Sequence, residues 1–323
     1  MNRLPTTAKL AYWALLPASL LCAADPPWYN QPQFFNIGGT ITWGTDPLLA
    51  QVPFTGQAWG VGLPSPGSPD VLRREVAAWP RPYFATKSLV ALNPTTGPIP
   101  AEWDSFRMRT LDGAYLNHGS WPQYSLSSPV FQSTFIQLAQ EAVDIGADGF
   151  MIDDIADWLG VILYLPAHNA GSFDSVTMAA FRDYLRQKYS SAVLQSQFGI
   201  SDINSFDFGD YVRANGLADT WNQSPLKGLS IEFFLFKRGE NLQFLRTLVA
   251  TTKQYAQQKY ARDILFSCNT TFGTNFLVRD VMDLTTPEAA YIRGHEPGTD
   301  HPYMAPDIRA WKGWKGQIGR AHV

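Results

Sequence analysis

The clearest pattern of apolar and polar positions lies in the middle of the chain. Ser128-Pro129 sets a capping side chain before a proline at the first helical position, where its missing N–H costs nothing. Apolar residues at 131, 135, 138, 139 and 142 then keep to one helical face as far as Ile145. Gly146 supplies the stop. Asp148-Gly149-Phe150-Met151-Ile152-Asp153-Asp154 follows, a short apolar run closing in acids. A helix, a two-residue link and a buried strand make half of a parallel αβ repeat.

The same alternation of short runs and helical spacing recurs on both sides. Upstream it predicts a strand over 34–43, a Pro/Gly-rich loop over 53–69 and a helix over 70–79 opening at an Asp70 cap. A strand over 83–92 ends at Asn93-Pro94, and a third strand is expected within 107–116. Downstream, Ser172 is expected to cap a helix over 173–189, with short helical pieces over 201–214. A long helix, single or double, is predicted over 231–260. Strands over 263–269 and 281–284 complete the pattern, the last leading into Thr285-Thr286-Pro287-Glu288. Strands separated by helices predict an α/β fold with a parallel sheet. A doubly wound sheet would carry a Gly-rich phosphate turn after its first strand, and none is found, so a (β/α)8 TIM-type barrel is expected.

Composition narrows the class. Hydrophobic residues make up 45% and charged residues 16%, enough for a large core and inconsistent with a disordered chain. The net charge of −3 comes without a Lys/Arg cluster, so no nucleic-acid partner is expected. Aromatics reach 14%, with 11 Trp, which suits a large core and also flat sugar-binding faces. Arg3 and Lys9, an apolar stretch over 10–22 and Cys22-Ala23-Ala24 read as a signal peptide over 1–24, hence a secreted or periplasmic protein. Acylation of Cys22 is the alternative. No later stretch is long and apolar enough to span a membrane. Cys268 would then be the one mature cysteine, read as a core residue, and no intrachain disulfide is expected. The final residues, Ile318-Gly319-Arg320-Ala321-His322-Val323, read as a translated sequencing-adapter oligonucleotide. On that reading the barrel domain covers 25–317, is truncated at its C-terminal end and lacks its last two strands.

Barrel enzymes carry their reactive groups at the C-terminal ends of strands. Asp153 and Asp154 stand at such an end, and strand alternation separates them: Met151 and Asp153 share one face, Phe150, Ile152 and Asp154 the other. Asp153 is the expected catalytic group facing the mouth, with Asp154 in support or capping the next turn. Cleavage of a glycosidic bond commonly needs two carboxyls, and Glu288, beyond the last strand, is the second candidate. Asp283 is expected inside that strand, while Asp157 either lines the same mouth or caps a helix. Lys87, Asn117, His118, Trp121 and Asn269 are candidates for holding substrate by hydrogen bonds and ring stacking. His295-Glu296 and Asp300-His301 could ligate a metal, but their spacing fits no helical zinc pattern; no metal and no cofactor is expected. A Gly-x-Ser-x-Gly elbow is absent, which argues against an α/β-hydrolase.

Gly146-Ala147-Asp148-Gly149-Phe150-Met151-Ile152-Asp153 resembles the fourth-strand motif of glycosidase barrels, whose terminal Asp is a catalytic nucleophile. Met151 stands where amylase-like enzymes carry Arg. Phe181-Arg182-Asp183-Tyr184-Leu185-Arg186-Gln187-Lys188-Tyr189 resembles the segment after the fourth strand of β-galactosidase-type barrels and of related bacterial glycosidase-like proteins. Those galactosidases use an Asn-Glu pair where this chain has Asp153-Asp154. The resemblance covers roughly residues 108–290. It implies a glycoside hydrolase with a carbohydrate partner, or else a carbohydrate-binding barrel without catalysis; metal-assisted hydrolysis is a third reading.

Overall fold

The computed structural model describes residues 35–36, 56–60, 62–63, 68–79, 81–88, 101–118, 121–153, 166–270 and 281–287. All of them belong to one unit, Gln33–Val323. The strands are β1 (Phe35–Asn36), β2 (Gly56–Gly60), β3 (Tyr83–Ser88), β4 (Asn117–His118), β5 (Trp121–Pro122), β6 (Gly149–Asp153), β7 (Leu265–Thr270) and β8 (Leu284–Pro287). Six form one sheet in the order β1-β2-β3-β6-β7-β8, every neighbouring pair parallel, while β4 and β5 make a separate antiparallel hairpin. Sheet order follows chain order and never reverses, unlike a doubly wound sheet with its switch point.

The helices are α1 (Ser68–Ala78), α2 (Pro129–Ile145), α3 (Ser175–Lys188), α4 (Ser191–Phe198), α5 (Phe208–Ala214) and α6 (Leu229–Tyr260). Two of the expected elements fall elsewhere. Residues 107–116 stay out of the main sheet: Arg107, Arg109 and Thr110 make isolated antiparallel bridges to Tyr124, Tyr115 and Gly171. Their place is taken by β2, inside the stretch read as a loop. Its pattern was hidden because Gly60 lies under the Tyr83 ring, where a Cβ would come within 2.3 Å.

The sheet is buried on both faces, as parallel sheets are. On one face Tyr83, Ala85, Phe150, Ile152, Phe266 and Cys268 join a core with Phe131, Phe135 and Ala139 of α2 and Phe244, Leu245 and Leu248 of α6. Phe84 and Met151, 2% and 1% exposed, lie outside that cluster and belong to the opposite face. Carboxylates staple the N-terminal edge. Asp148 accepts the Tyr83 amide at 2.8 Å and pairs with Arg81 and Arg262. Asp283 does the same for β7, accepting the Phe266 amide at 2.8 Å and Lys253 Nζ at 2.6 Å. It therefore precedes β8 rather than lying within a strand, since the strand begins at Leu284.

A second core holds Met178, Phe181 and Leu185 of α3, Leu194 of α4, Phe208 and Val212 of α5, Trp221, and Phe233 and Phe236 of α6. Helix α6 is single and has 32 residues, about 48 Å at 1.5 Å per residue. Its first turns lie in the second core and its later turns in the first. Asp174, not Ser172, caps α3: Asp174 Oδ1 accepts the Thr177 amide at 2.9 Å, and Ser172 Oγ donates to Asp174 Oδ2 at 2.5 Å. Likewise Asp70 sits within the first turn of α1 instead of capping it. Among the described residues no helix is long and apolar enough to cross a membrane.

Candidate functional site at the C-terminal edge of the sheet

Parallel strands bring their C-terminal ends to one edge, and the register there is specific. Ser88 pairs with Asp153, and Ile152 pairs with Cys268, which levels Asp153 with the next residue, Asn269. Asn269 in turn pairs with Thr286. Ser88, Asp153, Asn269 and Thr286 thus form a row across four adjacent strands. By strand position the row falls in step with Met151, two residues before Asp153. Lys87 pairs with Ile152, one position before the row.

Each of the two central strand ends feeds a long excursion. The chain leaves β3 and reaches α2 through a 3-10 turn, Ala101–Phe106, and the β4–β5 hairpin; it leaves β6 and reaches α6 through α3, α4 and α5. The two excursions are knit together. Thr110 bridges to Gly171, the Phe173 amide donates to Arg109 O at 2.9 Å, and Arg213 Nη1 donates to Leu111 O at 2.8 Å. Below them the buried hydroxyls of Ser125 and Thr177 meet at 2.6 Å, and Thr177 Oγ1 donates to Asp174 Oδ2 at 2.9 Å. The two excursions, which follow β3 and β6 in the chain, are thus joined into one wall.

Asn117 and His118 lie in β4 of this wall, paired with Pro122 and Trp121. The exposed Asn117 side chain accepts from Arg107 Nη2 at 2.9 Å. The Arg107 and Arg109 guanidiniums lie 3.9 and 4.3 Å from the Tyr115 ring centroid. These cation–π contacts hold the hairpin's polar groups in place. In register Asp153 and Asn269 stand in one row, Lys87 is level with Ile152 one residue before it, and Asn117, His118 and Trp121 belong to the β4–β5 hairpin. Asp154, Asp157, Glu288 and the 295–301 loop lie outside the described residues. Among the described residues no group of three His, Cys, Asp or Glu is placed to hold a metal ion. Ser88 and Thr286 were not anticipated. Alternation along 83–92 already set Ser88 opposite Lys87, but only the pairing with Asp153 shows which of the two joins the row.

The fold and the row define an α/β protein with a parallel sheet and a polar edge at its strand ends. No family model matches the chain. In sequence it is similar to the alpha-agarase of Thalassotalea agarivorans, 30% identical over 145 residues that cover 40% of this chain and 9% of that protein. It is also similar to the alpha-agarase of Alteromonas agarilytica, 47% identical over 55 residues, 17% of this chain and 4% of that one. The matched stretches thus span less than a tenth of either agarase. In structure it is similar to a β-galactosidase from Bacillus circulans sp. alkalophilus, with a TM-score of 0.47 and 15% identity, covering 76% of this chain and 35% of that one.

Proposed function

We propose that this chain is the barrel part of a secreted glycoside hydrolase acting on a poly- or oligosaccharide. The observation that carries the reading is the row Ser88, Asp153, Asn269 and Thr286, a carboxylate among hydrogen-bonding groups at the edge where barrel enzymes keep their chemistry. A strand order that never reverses supports closure into a (β/α)8 barrel. In this reading Asp153 is the nucleophile or base, Glu288 the proton donor and Asp154 a supporting group. Asn117, His118 and Trp121 extend the sugar contacts along the wall. The likeness to alpha-agarases makes agar the first polymer to try.

One observation favours a second reading. Asp153 is the single carboxylate in the described row, and glycosidic cleavage commonly needs two. A carbohydrate-binding barrel without catalysis would need only the row and the wall. Incubating the full chain with agar and other galactans separates the two. New reducing ends support the hydrolase; retardation in a polysaccharide gel without new reducing ends supports the binding protein. Loss of the reducing ends on adding a chelator would turn the reading to metal-assisted hydrolysis.

A further inference from the structure

The two excursions meet at a surface point where one histidine faces two carboxylates. His168, in the 3-10 turn Ala167–Asn169, has Nδ1 2.9 Å from Asp112 Oδ2 and Nε2 2.8 Å from Asp219 Oδ1. Asp112 sits in the turn of the β3 excursion where the Gly113 amide donates to Thr110 O at 3.0 Å. Asp219 sits in the turn after α5 where the Trp221 amide donates to Leu217 O at 2.8 Å. A neutral imidazole has one N–H and one bare lone pair. It can donate to one of these aspartates only, and would turn the lone pair on the other. The arrangement is complete only for the imidazolium.

We propose that His168 is a pH-operated clamp fastening the tip of the β3 excursion to the helical excursion, closed when the ring holds both protons and half-released when it loses one. Hydrogen bonds to Asp219 and then Asp112, with their charges, raise the proton affinity of the ring above that of an ordinary histidine. The sign follows from linkage. The folded value is raised, so the clamp is complete below the ordinary histidine range and is lost as pH rises through the raised value. Cations of the adjoining segments are engaged elsewhere: Arg213 with Leu111 O and Asp210, Arg109 with Gly113 O and Asp104. The Thr110–Gly171 bridge and the Phe173–Arg109 hydrogen bond contain no titrating group, so release stays at the tip.

The test needs no activity and so stands or falls apart from the hydrolase reading. The His168 ring is titrated by NMR in the full chain, its signal identified by its absence in His168→Gln. Amide exchange at Gly113, Ala170 and Trp221, corrected for intrinsic rates, is compared at about pH 5.5 and about pH 8.5. The clamp predicts titration above the ordinary histidine value and exchange roughly two- to five-fold faster at the higher pH. That change should vanish in Asp219→Asn, which keeps the Asp112 contact. Titration at or below the ordinary value, or the same pH response in Asp219→Asn, would overturn it.

Discussion

Gly149, the first residue of β6, has no room for a side chain. A Cβ there would lie 2.4 Å from the Phe84 ring and 2.5 Å from Leu265 O, a backbone atom that cannot give way. Gly149→Ala should therefore destabilise by about 2 kcal/mol or more in a urea titration, the usual cost of overpacking. Glu232, 8% exposed, accepts from Tyr184 at 2.9 Å, Lys188 at 2.6 Å and Tyr189 at 2.8 Å. Burial pushes its carboxyl up, but the Lys188, Tyr189 and Tyr184 hydrogen bonds outweigh burial and hold it below the ordinary glutamate range. Stability from a lowered carboxyl is present above the ordinary value and lost as pH falls through the lowered one. Urea midpoints should fall on acidification through that window, and Glu232→Gln should flatten the fall. At neutral pH that variant should cost about 1–2 kcal/mol, discounted because Lys188 is partly exposed.

At the scale of the element, the α2–β6 unit was the most legible part of the chain because its signals are local. Ser128 Oγ accepts the Phe131 amide at 3.2 Å, and Gly146, at φ 115°, donates to Ala142 and Val143 carbonyls as a left-handed cap. Helix α4 carried similar signals in Ser190 and Gly199, but its 8 residues are too few for a periodic face to stand out. Strand β8 begins later than its apolar pattern suggests, since Val281 and Met282 are buried in the core ahead of the strand proper. The long helix α6 joins both cores, and Asn241 lies between the parts that serve each. Asn241 is fully buried, and among the described residues neither amide atom has a hydrogen-bond partner. Leaving such a group buried and unmatched costs about 1–3 kcal/mol. Asn241→Leu should thus raise the thermal midpoint or leave it unchanged. A clear fall would show that the amide is matched by bound water.

Over the whole molecule, the candidate site depends on pairings the sequence pattern carries only in part. Alternation alone separated Asp153 from Phe150 and Ile152, and the helix-packed core bears that split out for the two apolar residues. Asn269 could be seen as a strand end, but its alignment with Asp153 is a matter of register between segments more than 100 residues apart. The union of the two excursions was not legible. Thr110 and Gly171, or Ser125 and Thr177, meet only because their strands are neighbours in the sheet. This seam predicts a cooperative unit: Asp174→Ala, which removes the α3 cap and the acceptor of Ser172 and Thr177, should speed amide exchange at Phe173 as well as in α3. Exchange that stayed slow at Phe173 would mean that the two excursions open separately.

In the proposed function Asp153 performs chemistry at the strand-end row. Asp153→Asn in the full chain tests it most directly, with reducing-end release from a cleaved galactan and binding to that polymer measured side by side. Release should fall about a thousand-fold or more while binding and the thermal midpoint stay unchanged. Release within a few-fold of the unsubstituted protein would contradict it.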